Sequence, residues 1–260
     1  MIFINTKWNV IHGDKRTIYL EKLLKNEETL FPEITVLPIP ATRDKIYISD
    51  SDILIKDFFS NKLKDSLIFC GSKYSLPDEI IKNYKIYDYS ENEMFLLKNA
   101  ELTAYGAINI LCKKSKKPFN DSKILISGFG RVGKNLAKLL LGLDSKVFVL
   151  GHKDEDSFWI NKFGLSEIKD INCLNHEFDF IINTVPNLIF SEEKLKNVFC
   201  ENFIELASVP GIDKQVCEKL NINHISALGI PGKFYPMNAA KIIKESIINI
   251  LKGDLWKKQN

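Results

Sequence analysis

Three glycines, at 128, 130 and 133, restrict what residues 123–153 can fold into more than any other feature of this chain. An apolar run (Ile124, Leu125, Ile126) reads as a strand buried on both faces. It leads through Gly128-Phe129-Gly130-Arg131-Val132-Gly133 straight into a segment with Val132, Leu136, Leu139 and Leu140 at helical spacing. A second apolar run, Val147 to Leu150, completes a β-α-β unit. Each glycine has its own expected task. Gly128 makes the tight turn, Gly130 lets the backbone approach a diphosphate, and Gly133 lets the helix lie close on the strand. The diphosphate would sit at the helix N-terminus, where unpaired N–H groups and the positive end of the dipole face it. Gly128, Phe129, Gly130, Arg131, Val132 and Gly133 are therefore candidate dinucleotide-binding residues.

The end of the second strand bears on which dinucleotide. An NAD site usually places Asp or Glu there, to bond both ribose hydroxyls. This chain reads Gly151-His152-Lys153, with no acid before Asp154. A small residue followed by a basic pair leaves room for a 2′-phosphate and attracts it. NADP is favoured on this ground and NAD is the second choice, the plainer alternative being that Lys153 is a solvated surface lysine.

The rest of the chain repeats one grammar. Residues 2–13 hold apolar positions (Ile2, Phe3, Ile4, Val10, Ile11) that end in Gly13-Asp14-Lys15-Arg16, and a helix with Ile18, Leu20, Leu23 and Leu24 follows. Ile34–Leu37, Leu67–Cys70 and Ile86–Tyr89 read as further short strands, the first running into Pro38-Ile39-Pro40. From Glu91 to Leu111 apolar residues recur at three and four, as in a helix. Beyond the nucleotide unit, Phe178–Val185 is a strand closing in Asn183-Thr184-Val185-Pro186. Asn202–Ser208 closes in Ser208-Val209-Pro210-Gly211, and His224–Leu228 in Gly229-Ile230-Pro231-Gly232-Lys233. A last helix should start near Pro236. Strands that end in Gly, Pro, Ser or Asn turns and alternate with helices predict an α/β protein. The expectation is two Rossmann-like domains with doubly wound parallel sheets and a cleft between them. The expected division is 1–98 for a substrate or partner domain, 99–118 for a connecting helix and linker, 119–235 for the nucleotide domain, and 236–260 for a helix returning toward the first domain.

Composition narrows the function classes. A net charge of +3 on 260 residues gives no ground for nucleic-acid or membrane binding, and no apolar run approaches the length of a membrane span. The five cysteines (Cys70, Cys112, Cys173, Cys200, Cys217) show no metal-ligand or disulfide spacing, and read as reduced core residues of a cytoplasmic protein. With four dispersed histidines, no metal site is expected. Only three of the 36 basic residues are arginine, Arg16, Arg43 and Arg131, and each lies in a stretch singled out on other grounds.

Taken together these stretches resemble the A subunit of dipicolinate synthase, from a family that supplies dipicolinate to bacterial endospores. The resemblance covers nearly the whole chain. It is carried by Gly13-Asp14-x-Arg16, Leu37-Pro38-x-Pro40, Asn99-Ala100-x-x-Thr103-Ala104-x-Gly106, the glycine motif, Ile182-Asn183-Thr184-x-Pro186, Leu206-Ala207-Ser208-x-Pro210-Gly211, and Leu228-Gly229-x-Pro231-Gly232-Lys233. It implies an oxidoreductase acting on a CH–CH bond. Working with the synthase's flavoprotein-like B subunit, in the mother-cell cytoplasm of a sporulating bacterium, it would oxidise dihydrodipicolinate to dipicolinate. A heteromer is implied, and room is left for a homodimer.

Holding such a small dicarboxylate needs cations. The candidates are Arg16 and Arg43 at strand ends and Lys233 in the last turn, with the alternatives of a helix cap, a surface ion pair and a solvated lysine. Asn183, Thr184, Val185, Pro186, Ser208, Gly229 and Pro231 would border the nicotinamide and ribose, with Gly151, His152 and Lys153 at the far ribose. No His, Asp or Glu stands out as the general base. Tyr105 replaces a carboxylate of the family's connecting helix, and Phe234–Asn238 departs from its usual pattern. Both departures keep open a second reading, in which a non-catalytic regulatory subunit binds NADP(H). A third, a 2-hydroxy-acid or alanine dehydrogenase-like enzyme, would need a catalytic His–acid pair that the chain does not offer.

Overall fold

The structure, a computed structural model, describes residues 4–62, 66–151, 153–171 and 176–257. Of the residues named above, Ile2, Phe3, His152 and Cys173 lie outside this set. The chain forms two compact units, Met1–Asn99 with Pro231–Asn260, and Ala100–Ile230.

In the first unit β1 (Ile4–Asn5), β2 (Lys7–Val10) and α1 (Lys15–Leu24) are followed by β3 (Glu28–Thr29) and β4 (Glu33–Val36). Next come α2 (Ile55–Ser60), β5 (Leu67–Cys70), α3 (Asp78–Asn83), β6 (Ile86–Asp88) and α4 (Glu93–Lys114). Strands β2, β4, β5 and β6 form a parallel sheet in that order, and β1 pairs antiparallel with β3. The sheet is apolar on both faces, as parallel strands covered by helices must be. Ile68 and Cys70 pack with Leu37, Ile55 and Phe59 on one face. Phe69, from the alternate positions of β5, is also fully buried. Helix α4 is unbroken from 93 to 114 and contains the division between the units at 99/100.

The second unit has β7 (Lys123–Ser127), α5 (Arg131–Leu141), β8 (Lys146–Leu150), α6 (Asp154–Lys162) and β9 (Ser166–Ile168). These are followed by β10 (His176–Asn183), α7 (Glu192–Leu195), β11 (Val198–Glu205), α8 (Lys214–Lys219) and β12 (Asn223–Ser226), and α9 (Ile230–Phe234) starts at the unit's last residue and continues in the first unit. All six strands are parallel, in the order β12-β11-β10-β7-β8-β9. The chain winds outward from β7 to β9 and then resumes on the other side of β7 with β10. The reversal lies between β7 and β10, and sheets of this kind bind ligands beyond the strand ends at such a point. Ile124, Leu125 and Ile126 are wholly buried, and α5 presents Leu136, Ala137 and Leu140 to the core. The second face is filled by Phe178, Ile181, Phe190 and Phe203, with the last two rings edge to face at 5.3 Å.

The chain then returns to the first unit as α10 (Pro236–Lys257), which packs along α1. Ser246 Oγ donates to the Tyr89 carbonyl at 2.7 Å, and Lys244 pairs with Glu27. The expected α/β architecture with two parallel Rossmann-like sheets is the observed one. Element ends differ. Strand β11 stops at Glu205, so Leu206–Gly211 is loop, and Ile230–Phe234 is a short helix rather than a turn. Cys112 is exposed on α4, whereas Cys70, Cys200 and Cys217 are core residues, so the expectation of uniformly buried cysteines fails at that position.

Candidate functional site

The glycine loop shows three different steric situations. Gly128 takes φ +90°, and a Cβ there would fall 2.5 Å from Val185 Cγ2 and 2.6 Å from Thr184 Oγ1. A Cβ at Gly133 would lie 2.3 Å from the Gly128 carbonyl oxygen, so no other residue lets α5 start this close to β7. At Gly130, the N-cap of α5, a Cβ would meet nothing within 4 Å. Glycine there leaves space that the other described residues do not fill. The helix start carries no side-chain cap and no acid in its first turn. An uncapped helix start with its positive dipole end is the arrangement that receives an anion. Phe129, grouped with the binding residues from its place in the motif, turns its ring inward, 2 % exposed and edge-on to Phe163 at 6.0 Å. What it can offer a ligand is backbone. Arg131 is exposed at the first position of α5, and Val132 is half-buried beside it.

The loop is tied to the neighbouring strand end. Thr184 donates both its N–H and its hydroxyl to the Ser127 carbonyl, at 3.0 and 2.8 Å. Val185 is half-buried and Pro186 exposed beyond it. Ser127 is fully buried, and its own hydroxyl has no hydrogen-bond partner among the described residues.

At the end of β8, a Cβ on Gly151 would lie 3.1 Å from Asp156 Cβ and 3.2 Å from Ile160 Cδ1. Its small size therefore has a packing cause, the approach of α6. Lys153 is the exposed N-cap of α6 and donates its N–H to Asp156 Oδ2 at 3.2 Å. Asp154, Glu155 and Asp156 fill the first turn of that helix, a negative setting for any anion that Lys153 would hold.

Beyond β10 and β11 lies a network that sequence reading missed. Asn183 is completely buried. Its Nδ2 donates to Glu205 Oε1 at 2.8 Å and to the Val185 carbonyl at 2.9 Å, and its Oδ1 accepts the Val185 N–H at 3.2 Å. Glu205, 2 % exposed, also accepts the N–H of Ala207 at 3.0 Å and of Gly211 at 2.6 Å. Burial pushes its carboxyl above the usual carboxylate range, and these hydrogen bonds pull it part of the way back. Asn183, expected to border a ligand, thus spends its side chain on shaping the Val185 turn and anchoring Glu205. Ser208 is exposed in the loop that Glu205 holds, and Gly229, at φ +70°, is exposed after β12. The signal for Glu205 was available in principle, as a carboxylate at the end of an otherwise apolar strand.

The expected clamp residues lie in the first unit. Arg16 donates from Nε to Asp14 Oδ2 at 2.6 Å and from Nη2 to the Ile39 carbonyl at 2.9 Å. A Cβ on Gly232 would sit 2.8 Å from Arg16 Nε, so the turn carrying buried Pro231 and exposed Lys233 packs onto the Asp14–Arg16 pair. Pro231 accordingly belongs with the first unit. Arg43 is exposed in the segment after β4, where it helps the N–H groups of Tyr47 and Ile46 hold the Asp44 carboxyl below its usual range. Arg16 is in part a helix-start residue, paired inside the chain. Among the described residues no cluster of three or more His, Cys, Asp or Glu could hold a metal ion, and no helix is long and apolar enough to cross a membrane.

With this geometry in place, the class is defined. Residues 96–227, just over half of the chain, match the Glutamate/Leucine/Phenylalanine/Valine dehydrogenase model, and the chain belongs to that family. The more particular resemblance also holds. The A subunit of dipicolinate synthase from Bacillus subtilis (strain 168) is 24% identical over 227 residues, covering 83% of this chain and 76% of that protein. The crystal structure of the dipicolinate synthase A subunit from Bacillus halodurans overlays with a TM-score of 0.83 at 20% identity, over 96% of this chain and 99% of that one. The corresponding crystal structure from Bacillus subtilis overlays at 0.77, also at 20% identity, over 96% and 98%.

Proposed function

We propose that this chain is the nicotinamide-dependent subunit of a dipicolinate synthase, oxidising dihydrodipicolinate with NADP in partnership with the flavoprotein-like B subunit. The observation that carries the cofactor is the start of α5, an uncapped helix end behind a glycine whose missing side chain leaves open space. The residues fit a dinucleotide diphosphate there, with Gly128, Gly130 and Gly133 shaping the cradle and the first-turn N–H groups of α5 facing the phosphates. The substrate class rests on the likeness to the dipicolinate synthase A subunit.

A nicotinamide cofactor held there would supply the hydride acceptor. The chain's own residues supply positioning and charge. Arg16, held in plane by Asp14 and the Ile39 carbonyl, has guanidinium N–H groups beyond those two bonds for a substrate carboxylate. Lys233, exposed beside that pair, and Arg43 are the further cations. Loss of the hydride and of one proton leaves an aromatic ring, and in the absence of an evident base the proton passes to water. Lys153 is the cation available to a 2′-phosphate, set against the acids of the α6 first turn, so the NADP preference turns on this residue. The mother-cell cytoplasm of a sporulating bacterium is the setting that goes with this reading.

Tyr105, 43 % exposed where the family carries a carboxylate, favours a second reading, a non-catalytic dinucleotide-binding subunit that supports its partner. The two separate in one assay, NADPH formation from freshly made dihydrodipicolinate with and without the B subunit. Turnover in either mixture supports the first reading; tight NADP binding without turnover in both leaves the second. Lys153→Glu should cut the preference for NADP over NAD at least about tenfold, and an unchanged preference would refute the role given to that lysine.

A further inference from the structure

The last residues of four neighbouring strands stand in register, Ser127 on β7, Asn183 on β10, Glu205 on β11 and Ser226 on β12. Cross-strand partners share a face of the sheet. This row therefore lines the carboxyl ends of the half that lies across the β7/β10 reversal from β8 and β9. Within it Glu205 is the one acid. Three N–H donors converge on its two oxygens and none of its contacts is an acceptor that could take a carboxyl proton. The arrangement is built for the anion. Among the described residues no lysine, arginine or histidine acts on it, and its partners are neutral N–H dipoles.

The opposite polarity lies two strands away, across β10, at the N-terminal end of α5. The sheet thus presents a positive end beside β7 and, at β11, a carboxyl group whose oxygens are met by N–H donors. A nicotinamide dinucleotide has the matching sequence of charges, an anionic diphosphate and, in the oxidised form alone, a cationic ring. In a sheet of this order the diphosphate takes the first helix start and the dinucleotide spans the reversal toward the other half. We propose that Glu205 biases the dinucleotide site toward the oxidised cofactor, and so sets the chain up to accept a hydride rather than donate one. Glu205 does this as a positioning and charge-setting residue behind the Ala207–Gly211 loop. The inference rests on the cofactor reading above.

The test is the pair of dissociation constants for NADP⁺ and NADPH, measured on the full-length chain by calorimetry or ligand fluorescence, for wild type, Glu205→Gln and Glu205→Asp. A loosened loop weakens both forms alike and cancels in the ratio, whereas loss of charge does not. Glu205→Gln should lower the ratio Kd(NADPH)/Kd(NADP⁺) about three- to tenfold, the size one buried unit charge exerts at medium range. Glu205→Asp, which keeps the charge, should retain most of the wild-type ratio. An unchanged ratio in a Glu205→Gln protein that still unfolds cooperatively would overturn the proposal. Should neither variant fold, the wild type decides: NADP⁺ bound at least as tightly as NADPH supports the bias, and NADPH bound tenfold tighter overturns it. Failure of the wild type to bind either form would instead remove the cofactor reading, and this inference with it.

Discussion

Two strand–glycine–helix turns, Gly13–Arg16 in the first unit and Gly128–Gly133 in the second, look alike in sequence and differ in what they leave open. At the first, Asp14 caps α1, its Oδ1 accepting the Arg16 N–H at 2.8 Å while Oδ2 pairs with the Arg16 side chain. Gly13 N–H is answered by Thr17 Oγ1 at 2.9 Å. The helix start already holds an anion, and that anion belongs to the chain. At the second, the cap position is Gly130, with no side-chain cap, no acid in the first turn and, among the described residues, nothing within 4 Å of the absent Cβ. One acid, present or missing at the cap, separates a closed helix end from a receptive one. It also lowers the free charge that Arg16 can give to a ligand, which weighs on its role as a clamp.

The comparison can be broken most severely at Gly133. Its Cβ would collide with backbone, not with a side chain that can swing away, so Gly133→Ala should cost ~2–4 kcal/mol in denaturant unfolding. A loss below ~0.5 kcal/mol, the size usual for surface substitutions, would mean that the close approach of α5 is not real. Gly130→Asp copies the first turn into the second. The chain should keep or slightly raise its melting temperature while dinucleotide affinity falls about a hundredfold; unaltered affinity in a titration would show that the diphosphate does not use this helix end.

The converse, Asp14→Ala, should cost ~1–2 kcal/mol through the lost cap. It should also make the melting temperature respond to added sulfate more than in wild type, as an opened helix start would. The smallest effect is a pH dependence in the second unit. His224 stacks on Phe203, and burial, then Lys214, holds its imidazole below the usual value of 6.5. The unfolded chain therefore takes up the proton first, and this contribution to stability is present above pH 6.5 and lost as pH falls through the lowered value. Glu205, raised above 4.5, acts in the opposite sense, so the difference in melting curves between wild type and His224→Gln isolates the histidine.

What could be read in the sequence follows from distance along the chain. Buried parallel strands announce themselves locally, as in Ile124–Ile126, and the glycine motif places β7, its turn and α5 close together in the chain. The orientation of Phe129 was not legible, because it depends on Phe163 at the C-cap of the helix after the next strand. The Asn183–Glu205 bond joins residues 22 apart and needs two strands in register before it has meaning. Gly151 illustrates a subtler limit. A small residue at that position suits a phosphate and suits the close packing of α6, and only the neighbour at 3.1 Å tells the second cause.

The return of α10 to α1 bears on how the protein is made. The first unit is not finished by Met1–Asn99, because its remaining part, Pro231–Asn260, follows the whole of the second unit. On a ribosome the uninterrupted second unit is complete in sequence before the first, reversing the usual order in which domains fold as they emerge. The part of the first unit made before the second, including the Asp14–Arg16 turn, then waits for Pro231–Asn260 before its partner at Gly232 and the helix behind it exist.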